Sequence, residues 1–280
     1  MNVEHVEQFL LAWLNFERKV GEREKNAVVG ISGGIDSAVV FMLCAQVMPT
    51  TGVIMPCHSS SESISRAQEL IEAAKAKGLQ VMKPVTVNLE ASFDSIICQQ
   101  RVSNGLANNK MAKASLRSCL RAPTLDYIAK LENALIFGTG NRDEDEVFRY
   151  YQKRGDGCVD NNVLACLHKS EVRLLAAHLG VPQSILDAVP SADLWGGEEV
   201  HTDEGELGIT YDEIEWVTKF MNDSPPQGRS MTDVVAMTPR QFEVLKKAIA
   251  AEIATRHKAQ PPRCPDRRQL LTTIEARENI

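Results

Sequence analysis

The sequence predicts an α/β fold, a parallel sheet flanked by helices, and two observations carry that expectation. Short apolar, β-branched runs (Val28–Ile31, Gly52–Met55, Val81–Val87 and Ala134–Phe137) are separated by longer segments with helical apolar spacing. The runs ending at Ile31, Met55 and Phe137 pass straight into loops rich in Gly, Ser or Pro. In a parallel sheet such loops leave from one edge, so the three should converge on a single crevice.

The elements follow in order. The opening "MNVEHVEQFLLAWLNF" mixes acidic and apolar residues at helical spacing, and Val6, Phe9, Leu10 and Trp13 form an apolar face suited to an interface. It has no basic start or small-residue cleavage site, so it does not read as a signal peptide. Val28–Ile31 reads as a buried strand and Ile35–Val47 as a helix, with Gly52–Met55 a second strand ending at Pro56. From Ser61 to Lys77, Ile64, Ala67, Leu70, Ile71 and Ala74 mark one helical face, with Gly78 as its stop. Val81–Val87 is expected to be a third strand. Ala91–Gln100 and Ala112–Leu131 are expected to be helices, the second kinked or broken at Pro123. Ala134–Phe137 is another buried strand. "NDSPPQGRS" at Asn222–Ser230 reads as a loop before a last helix, Pro239–Ala254. One domain over residues 1–280 is expected.

The chain has 280 residues, 44% apolar and 24% charged, with a formal charge of −6, which points away from nucleic acid and anionic membrane surfaces. Any polyanion must therefore be held by a local site. Seven cysteines lie without a CxxC pair, which excludes a zinc framework and reads as reduced thiols in a cytoplasmic protein. No apolar run reaches the ~18 residues that span a membrane.

Within "NAVVGISGGIDSAVVFMLCAQVM", Asn26–Met48, a β-branched strand enters a serine–glycine turn and then an apolar helix. Such a unit cradles an anion, because backbone N–H groups and the helix N-terminus both face it. Gly33 and Gly34 allow close approach of the backbone, while Ser32 and Ser37 add hydroxyls. Asp36 would repel a bare phosphate, so a magnesium ion between them is expected. A serine–glycine turn is also a common helix cap, and it is the strand–turn–helix context that favours phosphate. The common GxxxxGK[ST] loop is absent.

"SGGIDS" resembles the pyrophosphate loop of N-type ATP pyrophosphatases. Downstream, "GTGNRDEDE" (Gly138–Glu146), "KRGDGCVDN" (Lys153–Asn161), "LHKSEVRLLAAHLGVP" (Leu167–Pro182), "PSADLW" (Pro190–Trp195), "TDEGELGITYDEI" (Thr202–Ile214) and "RHKAQPP" (Arg256–Pro262) resemble, in order, the NAD synthetases of that superfamily. The resemblance implies an adenine nucleotide alpha hydrolase-like, Rossmann-like fold. It implies ATP contacts at Gly30, Ile31, Ser32, Gly33, Gly34, Ile35, Asp36, Ser37, Thr139, Lys169 and Ser191. It implies magnesium (Mg2+) on Asp36 and Glu144, and catalytic roles for Asp36 and Lys169. For the dinucleotide substrate it points to Arg121, Tyr127, Lys153, Asp156, Asp160, His257 and Lys258. Family members carry an arginine-bearing segment where this chain reads "SLRSCLRAPTLDY": Cys119 stands in place of the first arginine, Arg121 falls at the second, and Arg117 lies nearby. Cys119 itself reads as a packing thiol.

The activity implied is amidation of deamido-NAD (nicotinic acid adenine dinucleotide) by ammonia with ATP, through an acyl-adenylate, releasing AMP and pyrophosphate. No glutaminase domain is expected, so ammonia would be free or delivered by a separate partner, and a homodimer is implied. Two alternatives stay open: an N-type pyrophosphatase with another acceptor, and a non-catalytic nucleotide sensor.

Overall fold

The computed structural model describes residues 1–104, 109–190, 194–195, 202–223 and 237–261. Helix α1 (Val3–Glu17) starts at Asn2, whose side chain accepts from His5 N at 3.1 Å. A small antiparallel hairpin, β1 (Lys19–Val20) and β2 (Arg23–Glu24), turns at Gly21 and leads into β3 (Asn26–Gly30). Helix α2 (Ile35–Val47) has the bounds its apolar run predicts, and β4 (Thr50–Ile54) and α3 (Ser61–Ala76) follow. The expected strand over Val81–Val87 shrinks to β5 (Val85–Thr86), with one isolated bridge from Val81 to Thr50. Pro84 has no N–H to give, which interrupts the ladder between those points.

Helix α4 (Glu90–Asn104) precedes α5 (Lys110–Leu131), which runs through Pro123 without ending. Next to the ring, Thr124 Oγ1 donates to Leu120 O at 3.0 Å, a side-chain bond at the turn the proline disturbs. Then come β6 (Ala134–Gly138), a π-helical turn at Glu144–Phe148, β7 (Asn161–Asn162), α6 (Lys169–Leu179), α7 (Gln183–Leu186), α8 (Asp203–Leu207), α9 (Tyr211–Thr218) and α10 (Pro239–Thr255). Among the described residues no helix is long and apolar enough to cross a membrane.

Five strands form one parallel sheet in the order β5–β4–β3–β6–β7, with Val28 opposite both Thr51 and Ile136. Side chains alternate along β3. Ala27 and Val29 join a cluster built from α1, α2, α3 and α6, while Val28 joins Phe93 of α4 and Ile128 of α5 on the other face. Helix α2 is buried almost all round, from Ala38 to Ala45, as its uniformly apolar sequence requires. Leu10 and Leu14 of α1 pack into this core, with Val6 and Trp13 partly buried against it, so much of the apolar face of α1 is used within the chain. Phe9 remains exposed. A third cluster joins the π-turn to α9 and α10 through Phe148, Ile214 and Val244. Strand order reverses between β3 and β6, and the crevice of a doubly wound sheet lies beyond the carboxyl ends of two such strands.

Candidate active site

A cavity of about 790 Å³ opens at that switch point. The loops after β3, β4 and β6 all line it, through Ser32–Ser37, then Pro56, Ser59 and Ser60, then Thr139 and Gly140. Gly33 has φ +82°, and a Cβ there would run into the Ser63 carbonyl, so α3 sits directly on the turn. Ser37 Oγ donates to Gly34 O at 2.9 Å and receives Ser32 N at 3.3 Å, which closes the loop on itself. Arg66, also on the cavity wall, donates to Gly33 O at 3.0 Å.

At the centre lies Lys169, the first residue of α6, with its side chain only 3% exposed. Its Nζ donates to Asp36 Oδ2 at 2.5 Å and to Glu144 Oε1 at 3.0 Å. Burial works against its charge, but Asp36 and Glu144 outweigh it and hold the ammonium well above the ordinary lysine range. Burial pushes the Glu144 carboxyl up, against the pull of Lys169. Tyr211 OH lies 2.9 Å from both Glu144 Oε1 and Asp203 Oδ2, and its ring faces Lys169 Nζ at 4.9 Å.

Two neighbours of Glu144 that the sequence did not single out build the setting. Asn141, fully buried, donates to Asp36 Oδ1 at 3.0 Å. Asp143 accepts from Lys169 N at 2.7 Å and pairs with His168 Nδ1 at 2.6 Å, fixing the start of α6. The ligand atoms of Asp143, His168 and Glu215 are close enough for a metal, but they are already engaged. His168 Nδ1 faces a carboxylate and Nε2 faces Arg142 Nη1 at 3.2 Å, so the ring donates at Nδ1, accepts at Nε2 and has no lone pair left for a metal. Glu215 accepts from Ser170 and Lys219.

A divalent cation fits elsewhere. Asp36 and Glu144 already share one cationic atom, Lys169 Nζ. The cavity wall carries six carboxylates, Asp36, Glu62, Glu144, Asp145, Asp156 and Asp203, against three basic groups, Arg66, Arg121 and Lys169. Asp203 Oδ1 is buried without a hydrogen-bond partner. A wall so acidic accommodates a nucleotide triphosphate only with added positive charge. Burial, then Glu144, pushes Asp145 up to about 7, and its carboxylate crowds Gly140 so closely that no Cβ would fit there. On the cavity wall, Tyr150 OH and Trp195 Nε1 both donate to the Glu206 carboxylate and tie α8 to that wall.

Of the residues singled out in the sequence, Gly30, Ile31, Ser32, Gly33, Gly34, Ile35, Asp36, Ser37, Arg121, Thr139, Glu144, Asp156 and Lys169 line this cavity together. Ser191 lies outside the described residues. Five others stand off the wall. Tyr127 is 66% exposed on α5. Asp160 Oδ2 accepts from Ile136 N at 2.8 Å, splicing its segment onto β6. Lys153 Nζ donates to His257 O at 2.9 Å and to Gln260 O, and Lys258 Nζ to Arg149 O at 2.8 Å and Tyr151 O at 2.6 Å. His257 Nδ1 is 3.1 Å from Ala254 O. The two lysines thus clasp two segments of chain through backbone carbonyls. Asp156 Oδ1 accepts from Ser118 Oγ at 2.5 Å and Gln152 N at 3.0 Å. Arg117 is buried, donating to Cys57 O at 3.2 Å and Leu194 O at 2.6 Å over the Phe93 ring. Cys119 is half-buried, with Gln152 Nε2 3.7 Å from its sulfur.

Comparison with known proteins follows this geometry. The family model for NAD synthase matches residues 8–262. An NH(3)-dependent NAD(+) synthetase from Carboxydothermus hydrogenoformans is 37% identical over 220 residues, 77% of this chain and 85% of that protein. One from Mesoplasma florum is 41% identical over 208 residues, 73% and 81% of the two chains. Among solved structures, NMN synthetase from Francisella tularensis superposes with TM-score 0.78 at 28% identity, covering 95% of this chain and 99% of that one. NH3-dependent NAD synthetase from Campylobacter jejuni gives TM-score 0.73 at 18% identity over 95% and 100%, a likeness of fold.

Proposed function

The chain belongs to the NAD synthase family, a family of carbon–nitrogen ligases, and from that premise we propose that its cavity amidates deamido-NAD with ammonia at the expense of ATP. The nicotinate carboxylate attacks the α-phosphorus of ATP, a P–O bond breaks, and pyrophosphate leaves. Ammonia then attacks the acyl carbon of the adenylate, expelling AMP and losing a proton. The glycine loop and the start of α2 direct N–H groups at the leaving phosphates, and Lys169 adds a buried positive charge. Asp36 and Glu144 would hold magnesium, which when bound neutralises phosphate charge. No protein nucleophile is needed. The observation that carries the reading is Lys169, poised between Asp36 and Glu144 at the mouth of the glycine loop.

The same reading includes a homodimer, supported by the exposed apolar Phe242, Ile249 and Ile253 spaced along α10, a cytoplasmic setting, and ammonia taken free or from a separate donor. It is tested by following NAD and AMP together with ATP, magnesium, deamido-NAD and either ammonium or glutamine, beside an Asp36→Ala control. One AMP per NAD with ammonium, and neither in the control, is expected. AMP without NAD would move the acceptor elsewhere, and tight ATP binding without turnover would leave a nucleotide sensor.

A second reading has its own observation. Tyr127, Lys153, Asp160, His257 and Lys258, which resemblance assigns to the dinucleotide, stand off the cavity wall, and each lysine amine gives two of its three N–H groups to backbone carbonyls. A smaller acceptor, nicotinate mononucleotide, uses fewer such contacts, and one solved relative is an NMN synthetase. Measuring kcat/KM for both acceptors side by side decides between the two.

A further inference from the structure

The side chain of Asn141 joins the two carboxylates on which the site turns. Its Nδ2 donates to Asp36 Oδ1 at 3.0 Å, leaving Oδ2 of the same carboxylate to Lys169. Its Oδ1 accepts from Asp143 N at 3.1 Å and Glu144 N at 3.2 Å. Its own carbonyl receives Asp145 N at 3.0 Å. The amide therefore starts the turn that carries Glu144 while gripping Asp36, which belongs to a helix 105 positions earlier in the chain. Its relative exposure is 0%, so solvent does not compete for either end. Every hydrogen-bonding atom of the amide with a partner here serves one of the two proposed metal ligands or the turn between them.

We propose that Asn141 is a positioning residue for the divalent cation: it sets the rotation of Asp36, so that Oδ2 faces Lys169 and Glu144, and the placement of Glu144 opposite it. The proposal rests on the reading that Asp36 and Glu144 hold that cation. Both jobs need an amide. A carboxylate in its place would meet Asp36 with like charge, and a hydroxyl could start the turn but not reach across to Asp36. Partners behind metal ligands of this kind govern affinity without touching the ion.

The test separates the turn-starting role from the grip on Asp36. Asn141→Ala removes both, whereas Asn141→Ser keeps an oxygen for the Asp143 and Glu144 amides and gives up the bond to Asp36. Binding of Mn2+ to the full-length protein with ATP is followed by electron paramagnetic resonance, with thermal unfolding alongside. Both variants are expected to lose about tenfold or more in Mn2+ affinity, while Asn141→Ser melts close to the wild type and Asn141→Ala well below it. In steady state the magnesium concentration for half-maximal rate rises with the Mn2+ loss, and KM for the acceptor stays put. If Asn141→Ser recovers both melting temperature and Mn2+ affinity, Asn141 is only a turn-starter and the proposal falls. If the wild type with ATP binds no Mn2+, the metal reading fails first and takes this proposal with it.

Discussion

Replacing Lys169 by methionine tests the centre of the site, because the side chain is nearly isosteric and the charge alone is lost. In the folded chain the ammonium lies 2.5 Å from Asp36 Oδ2 and 3.0 Å from Glu144 Oε1, with its side chain 3% exposed. Removing one partner from a buried set of charges costs about 3–5 kcal/mol, since the others stay buried and unpaired. Glu144 softens the cost by taking up a proton, as burial already pushes its carboxyl up. That relief fades as pH rises through the raised pKa of Glu144, so the loss should be smaller at pH 5 than at pH 8. At pH 8 a loss of about 3 kcal/mol corresponds to a Tm drop of about 6–12 °C. Lys169 itself adds no slope in this range: its pKa is raised in the fold, so its contribution is complete below the unfolded lysine pKa. In catalysis, losing a buried donor to the departing pyrophosphate should lower kcat by about 10²–10³. Denaturation of the metal-free protein in chelator at both pH values, and kcat from NAD and AMP formation with magnesium, read the two effects. A variant as stable as the wild type at pH 8, with kcat within about fivefold, would mean that this charge does not hold the two carboxylates together.

Gly33→Ala should abolish ATP binding or soluble folding, because φ +82° disfavours any side chain and the new Cβ meets the Ser63 carbonyl; equilibrium dialysis with ATP, finding wild-type affinity, would refute it. Asp145 is raised from 3.8 to about 7, first by burial and then by Glu144, so its share of stability, about 4 kcal/mol, is present at low pH and lost as pH climbs through 7. Asp145→Asn should flatten the fall in urea midpoint of the metal-free protein between pH 5 and 8, and parallel profiles would contradict the burial argument. Lys258→Met should lower the unfolding temperature by breaking the clasp onto Arg149 and Tyr151 carbonyls, yet leave KM for the acceptor within about threefold of wild type; a KM rise with unchanged melting would return Lys258 to the substrate.

How much of this was legible in sequence depended on whether the decisive partner was near or far along the chain. Helix α2 is legible to the residue because the unbroken apolar run Ala38–Ala45, after the serine–glycine turn, has one explanation, burial on all sides. The convergence of three loops followed from parallel pairing, which β-branched runs separated by helices imply. The strand at Val81–Val87 was overread because the period-2 pattern there does not register the missing N–H of Pro84. At Pro123 only the break is overturned, since packing of α5 against β3 and β6 carries the helix past it. The π-turn at Glu144–Phe148 had no signal: five residues are too few to show a period.

The site shows the same division more sharply. Asp36 stands out as a charge just after two glycines, whereas Glu144 and Lys169 are singled out only by the family resemblance, and the fold brings the three side chains to one point. Asn141 and Asp143, three and one places before Glu144, do not stand out within "TGNRDE" because the run reads as acidic. Asn followed three residues later by Glu is in fact a helix-start pattern, and it was there to be found. Lys153 and Lys258, which resemblance assigns to the substrate, each make contacts that sequence does not show. A basic side chain near a proposed anion invites an ionic role, and sequence cannot show that a carbonyl from 109 residues away takes one of its three N–H groups. A cavity wall with six carboxylates is costly to build; Asn141 and Tyr211 hold three of those acids, Asp36, Glu144 and Asp203, while Asp143 and His168 fix the start of α6 that carries Lys169, an arrangement consistent with the proposed cation brought in with the nucleotide. On the same proposal, the acceptor would be recognised at the part of the wall built by Ser118, Arg121 and Asp156, where Ser118 already holds the Asp156 carboxylate.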